Sequence, residues 1–172
     1  MGYNIGMKPK FNVNTLTKTA IIAALYTVFT LLIAPFAYGP VQFRLSEALT
    51  VLPFIMPEAI LGLFIGCIIS NILSPYGFLD LLCGSLATLL AAYLTSRATN
   101  KWLAPLPPVI VNAVVIGAVI TISMSEGEAF MATYALNALN VGVGQVVVCY
   151  GLGIPLLLIL KKFIFKTGEV ND

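Results

Sequence analysis

Residues 41–49, Val-Gln-Phe-Arg-Leu-Ser-Glu-Ala-Leu, set Arg44 and Glu47 one helical turn apart in a chain that otherwise keeps charge out of its apolar runs. Ionisable side chains beside lipid are costly unless they face the protein interior, a water-filled cavity or the interface. The fold therefore turns on whether this stretch crosses a membrane. The composition says that a membrane is the setting: of 172 residues, 59% are hydrophobic and only 9% charged, where a soluble domain carries about 25% charged residues. The expected class is an all-α integral membrane protein, a single domain over residues 1–172.

Five long runs carry no charge: residues 19–43, 59–79, 81–96, 102–125 and 129–160. Each can supply a helix of about 20 residues, the length a bilayer core requires. The last is long enough to hold an external loop ahead of its helix. The segment 45–57 is a shorter sixth candidate. Charge topology separates the two counts. With six spans and a cytoplasmic N-terminus, Lys8, Lys10, Lys18, Arg97, Lys101, Lys161, Lys162 and Lys166 fall inside and only Arg44 outside. With five, Arg44 and every basic residue from Arg97 onward land outside. The positive-inside rule selects six transmembrane helices with both termini cytoplasmic, residues 1–14 and 161–172 forming the tails. A tight turn near Pro57-Glu58 then joins the second and third spans on the cytoplasmic side. The outer face receives loops at 34–43, 74–79 and 124–134. Their aromatic residues are either belt anchors at the interface or a lid over a binding site.

The polar residues inside the spans are few: Arg44, Glu47, Asn71, Asp80, Asn112, Asn137, Asn140 and Gln145. All except Asn112 are expected towards the outer half, with Gln145 somewhat deeper. Asn112 is expected near the cytoplasmic end, in a different place. Asn137 and Asn140 share a helical face with Gly144, where another group could approach closely. Polar groups at one depth on several helices describe a cavity open to one side. The alternative is structural: a buried Arg44–Glu47 or Arg44–Asp80 pair fixing helix packing, with the amides as interhelical glue. Ala20 and Ala24 form a small-xxx-small pair that lets a helix come close, from this chain or from a partner.

Several classes are excluded. The chain has no histidine, which removes His-based metal sites, Ser-His-Asp triads and most proton shuttles. Cys67, Cys83 and Cys149 stand singly in separate apolar runs and read as buried inert thiols. No metal site and no cofactor is expected, and nothing suggests nucleic acid. Gly142-Val143-Gly144 lies inside an apolar helix and is no dinucleotide loop, because no strand precedes it. No phosphate-binding loop is present, so any active transport needs energy from another subunit or an ion gradient.

Gln42-Phe43-Arg44-Leu45-Ser46-Glu47-Ala48-Leu49 resembles the signature of the QueT family of queuosine-precursor transporters, and residues 80–90, Asp-Leu-Leu-Cys-Gly-Ser-Leu-Ala-Thr-Leu-Leu, resemble that family's fourth span. The family is similar to the substrate-binding S-components of energy-coupling factor (ECF) importers. The resemblance implies an S-component-like six-helix bundle with an outward-facing site, in a bacterial plasma membrane and multi-pass. Its partners would be the lipid bilayer, a transmembrane coupling protein (EcfT) and two ABC ATPases, which carry all ATP hydrolysis. The chain itself would be no enzyme. Ala20 and Ala24 match the alanine motif with which S-components contact the coupling protein. The ligand would be a 7-deazapurine: preQ1, preQ0 or queuine. A carboxylate can accept both N–H hydrogens of a guanine-like edge, with Glu47 the first choice and Asp80 the second. Arg44, Asn71 or Asn140 would donate to the carbonyl oxygen. Phe36, Tyr38, Phe43, Tyr76 or Phe78 would stack on the ring, and Asn137 and Gln145 complete the expected binding set. The alternatives are an S-component for another vitamin-like ligand, or a non-transport structural membrane subunit.

Overall fold

A computed structural model describes residues 12–39, 41–124 and 129–168, with side chains to residue 163. Of the expected tails 1–14 and 161–172, residues 1–11 and 169–172 lie outside the described residues, as do Pro40 and residues 125–128 of the expected outer loop. Seven helices and no strand are found among the described residues: α1 (Val13–Leu32), the single turn α2 (Ala34–Ala37), α3 (Leu45–Phe54), α4 (Ala59–Asn71), α5 (Gly77–Ser96), α6 (Leu106–Met124) and α7, which begins at Phe130 and runs to Gly168.

Prolines set several of these boundaries. Pro35 stands at the start of α2, just past the end of α1, because its ring cannot continue a helix that needs the N–H at that position. Pro107 and Pro108 fall in the first turn of α6, where the missing donors are unpaired anyway. Pro155 lies inside α7, one turn after Gly151, and the helix widens to a π-type turn over Cys149–Gly153. That widening relieves the clash of the proline ring with the preceding turn.

Among the described residues four segments are long and apolar enough to cross a membrane: Val13–Leu32, Gly77–Ser96, Leu106–Met124 and Phe130–Phe163. The expected second span is different in kind. It is a ten-residue 3-10 helix, α3, about 20 Å long at 2.0 Å per residue. Every residue from Ser46 to Pro53 is buried, so α3 is a central rod enclosed by α1, α4, α5 and α7 and not a lipid-facing wall. The 34 residues of Phe130–Phe163 make one continuous helix, roughly 51 Å long. The expected external loop ahead of the last helix is thus confined to residues before Phe130. The chain is already helical through Tyr134, because the run from Phe130 has no helix breaker before Pro155.

Close approaches between helices use glycines. At Gly62 an added Cβ would stand 2.8 Å from the Thr19 carbonyl, and at Gly66 2.7 Å from that of Ala23. The α1–α4 contact thus uses a small-xxx-small pair on α4 against Thr19 and Ala23, and leaves the neighbouring Ala20 and Ala24 exposed. Gly117 of α6 meets Ala138 of α7 in the same way. Ile22, Tyr26, Leu49, Leu52, Leu63 and Ala92 join α1, α3, α4 and α5 in one core. Outward, stripes such as Leu61, Ile65 and Ile69 on α4 or Leu82, Leu86 and Leu90 on α5 stay exposed, the inside-out pattern of helices that face lipid.

The helix directions gather the described basic residues other than Arg44 at one end of the bundle. Lys18 pairs with Glu58 at 3.4 Å, which brings the start of α1 to the start of α4. Arg97 and Lys101 lie at the α5–α6 connection, and Lys161 and Lys162 near the end of α7. Arg44 lies towards the other end, with the connections 33–44 and 72–76.

Candidate functional site

Residues 41–44 alternate in exposure. Val41 is 44% and Phe43 36% exposed, whereas Gln42 is 2% and Arg44 3%. The two polar residues turn into the bundle while the two apolar ones face out. The segment is pinned against α7 where the Val41 carbonyl packs on Gly144, the close approach its glycine permits. Gln42 has a backbone φ of +50°, a left-handed conformation uncommon for a residue other than glycine.

Two tiers of buried polar groups follow. In the first, Glu47 of α3 has both carboxylate oxygens occupied. The Tyr26 hydroxyl of α1 donates to Oε1 at 2.6 Å, and Asn112 Nδ2 of α6 donates to Oε2 at 3.1 Å. This corrects the expectation for Asn112. It begins its helix near the basic end, yet six residues at about 1.5 Å each carry it inward, and α3 brings Glu47 down to meet it. Glu47 is correspondingly deeper in the bundle than an outer-half residue. Cys149 of α7 donates to the Glu47 carbonyl at 3.5 Å and to Gln145 Oε1 at 3.5 Å. Its sulfur is therefore part of a polar network.

The second tier surrounds Arg44 and Asp80. Arg44 does not share a helical face with Glu47, because it is the extended residue ahead of α3. Its Nη2 stands 3.8 Å from Asp80 Oδ2, an ion pair too long for a hydrogen bond. Its guanidinium lies 5.2 Å from the Tyr38 ring centroid. Asp80 begins a π-type turn in α5, Asp80–Gly84. Its Oδ2 accepts from the Ser74 hydroxyl at 2.6 Å, and its backbone carbonyl accepts from Asn71 Nδ2 at 2.9 Å. Gly84, one turn on, leaves room for the carboxylate: a Cβ there would collide with Asp80 Oδ1 and stand 2.9 Å from Asn71 Nδ2. Cys67 Sγ lies beneath, accepting from Asn71 Nδ2 at 3.4 Å and from Thr88 Oγ1 at 3.3 Å. Cys67 and Cys149 are buried free thiols as expected, whereas Cys83 is only partly buried.

In this second tier several buried polar atoms have no hydrogen-bond partner: the donors Gln42 Nε2, Arg44 Nε, Arg44 Nη2 and Ser85 Oγ, and the acceptors Asn71 Oδ1 and Asp80 Oδ1. Each such group costs about 1–3 kcal/mol when left unsatisfied. Native interiors leave few of them, so a set with both donors and acceptors around one ion pair has the character of a site for a polar ligand.

The remaining expected residues are distributed around these tiers. Tyr76 is buried, its hydroxyl donating to the Tyr38 carbonyl at 3.0 Å, while the Tyr38 hydroxyl donates to the Ser70 carbonyl at 2.6 Å. Phe43 faces outward. Asn137 donates to Thr121 Oγ1 at 3.0 Å across the α6–α7 contact, and Asn140 is exposed. Gln42, Ser74 and Ser85 join the tier around Asp80 without having been singled out by sequence. Gln42 carried a signal, since it is the polar residue beside Arg44 in an apolar segment. Ser74 and Ser85 carried none.

The chain matches the QueT transporter family over residues 16–162. It is similar to the queuosine precursor transporter QueT of Lactococcus lactis subsp. cremoris (strain MG1363), 43% identical over 72 residues, which is 41% of this chain and 42% of that relative. The aligned part thus spans less than half of either protein. No solved structure matches. The chain belongs to the QueT transporter family, and among the described residues four helices are long and apolar enough to cross a membrane.

Proposed function

We propose, from that family membership, that the chain is the substrate-binding S-component of an ATP-driven ECF importer for a queuosine precursor: preQ1, preQ0 or queuine. The observation that carries this reading is the set of unpartnered donors and acceptors on Gln42, Arg44, Asn71 and Asp80. A guanine-like edge presents two N–H donor positions beside a carbonyl acceptor. Asp80 Oδ1 and Asn71 Oδ1 accept the hydrogens, and Arg44 donates to the oxygen. Asp80 takes the reading role ahead of Glu47, because the Glu47 oxygens already hold Tyr26 and Asn112. Glu47 anchors α3 to α1 and α6 beneath the ligand. Asn137, Asn140 and Gln145 act around the site and not on the edge itself. Tyr76 holds the connection carrying Tyr38, and Phe43 closes the outer side.

The basic end of the bundle is cytoplasmic by the positive-inside rule, so the chain is multi-pass in the plasma membrane and its site opens outward. The ligand enters from outside and leaves inward while the chain is engaged with the coupling protein (EcfT) and two ABC ATPases. Ala20 and Ala24 are exposed on α1 and not consumed by the α1–α4 contact, which supports a partner-facing role.

Calorimetric titration of the purified protein with preQ1, preQ0 and queuine tests the reading, with riboflavin, thiamine and biotin as competitors. Binding of a deazapurine that the vitamins do not displace supports it. Displacement by a vitamin, or no deazapurine binding, overturns the substrate.

A further inference from the structure

Gln42 combines two features. Its backbone is left-handed, φ +50°, a conformation that is strained for such residues and persists only when its surroundings enforce it. Its side chain is buried, with Nε2 lacking a full set of hydrogen-bond partners. The Gly39 carbonyl accepts the Gln42 N–H at 2.9 Å, and the Val41 carbonyl rests on Gly144. The neighbouring backbone therefore holds the amide inward on both sides. The Gln42 amide lies beside the Tyr76 phenol, which engages at most one of its two Nε2 hydrogens; the Tyr76 hydroxyl donates to the Tyr38 carbonyl, and the Tyr38 ring carries the Arg44 guanidinium. Gln42 and Arg44 are thus neighbouring inward donors, and Asn71 and Asp80 supply the acceptors.

We infer that Gln42 Nε2 is a second donor to the ligand's carbonyl oxygen, and that it determines the preference for a lactam over an amino group at that ring position. This rests on the proposed deazapurine reading and sharpens it to one residue. A carbonyl oxygen has two lone pairs, so Arg44 and Gln42 can both reach it. An amino group there would turn hydrogens towards two sets of donors and leave both unpaired. Sites built to hydrogen-bond one substrate group reject the analogue that lacks it far more strongly than apolar pockets discriminate by size.

The test is Gln42→Glu, which keeps the shape and replaces the donor with an acceptor, titrated against 7-deazaguanine and its diamino analogue, in which the carbonyl is an amino group. Wild type should prefer the lactam by about 10- to 100-fold, and Gln42→Glu should reverse the order. Gln42→Gly relieves the backbone and removes the amide, so it should bind the lactam about 10-fold more weakly without loss of thermal stability. A Gln42→Glu protein that keeps the wild-type preference overturns the inference. So does a folded Gln42→Gly protein with wild-type lactam affinity, which also decides the matter if Gln42→Glu does not fold. Wild type that binds neither compound contradicts the deazapurine reading itself, a result distinct from wild-type binding with an unaltered Gln42→Glu preference.

Discussion

Replacing Gly84 with alanine sets two effects of opposite sign against each other. In a helix interior Gly→Ala gains about 1 kcal/mol from backbone propensity. At Gly84, however, the new Cβ would stand 2.9 Å from Asn71 Nδ2 and closer still to Asp80 Oδ1. Neither side chain has room to retreat. Asn71 is 1% exposed and tied to the Asp80 carbonyl, while Asp80 is fully buried and tied to Ser74. Overpacking of this kind costs about 1–3 kcal/mol, so the net change runs from neutral to about 2 kcal/mol destabilising. Gly151 is the matched control: it lies in the other π-type turn, and an added Cβ meets nothing within 4 Å. Thermal melts in detergent and deazaguanine titrations read the pair together. Gly151→Ala should raise Tm with Kd unchanged, whereas Gly84→Ala should leave Tm level or lower and weaken the ligand at least 10-fold, because Asp80 Oδ1 is displaced. A Gly84→Ala protein as stabilised as Gly151→Ala, with wild-type Kd, would refute the packing of Asp80 over Gly84.

Other substitutions separate the two polar tiers and the outer face. Asn112→Ala leaves Glu47 Oε2 without its donor and should cost about 1–3 kcal/mol in a melt, with ligand Kd moved less than about 3-fold; a large Kd change would bring Glu47 into the binding site. Ala20→Leu with Ala24→Leu lies on an exposed face, so melts and ligand binding should match wild type while reconstituted uptake with the coupling module falls at least 10-fold. Unchanged uptake would remove these alanines from the docking surface.

Much of the site was legible because charge is so costly in an apolar chain. Arg44, Glu47 and Asp80 stand out by residue type alone, and the exposed Ala20 and Ala24 by spacing. What stayed hidden depends on backbone geometry that composition does not encode. The 3-10 winding of α3 moves Glu47 inward to Asn112, and the extended residues before it turn Arg44 towards Asp80 instead of along a shared helical face. Gly62 and Gly66 show the same limit. Glycines are common in membrane helices, and only the carbonyls of Thr19 and Ala23 reveal which pair makes the contact. The length of α7 was obscured by the outer-loop reading, since an unbroken apolar run is compatible with either a loop and a short helix or one long helix.

The division of labour between the two acids is the centre of the account, and one calorimetric comparison tests it: preQ1 Kd for wild type, Asp80→Asn and Glu47→Gln. Asp80→Asn takes the charge from the carboxylate that pairs with Arg44 through Oδ2 and leaves Oδ1 free, and should weaken binding by about 100-fold. Glu47→Gln keeps an acceptor for Tyr26 and should lie within about 3-fold of wild type, its effect appearing as lost thermal stability. The reverse order, with Glu47→Gln abolishing binding and Asp80→Asn sparing it, would contradict the account.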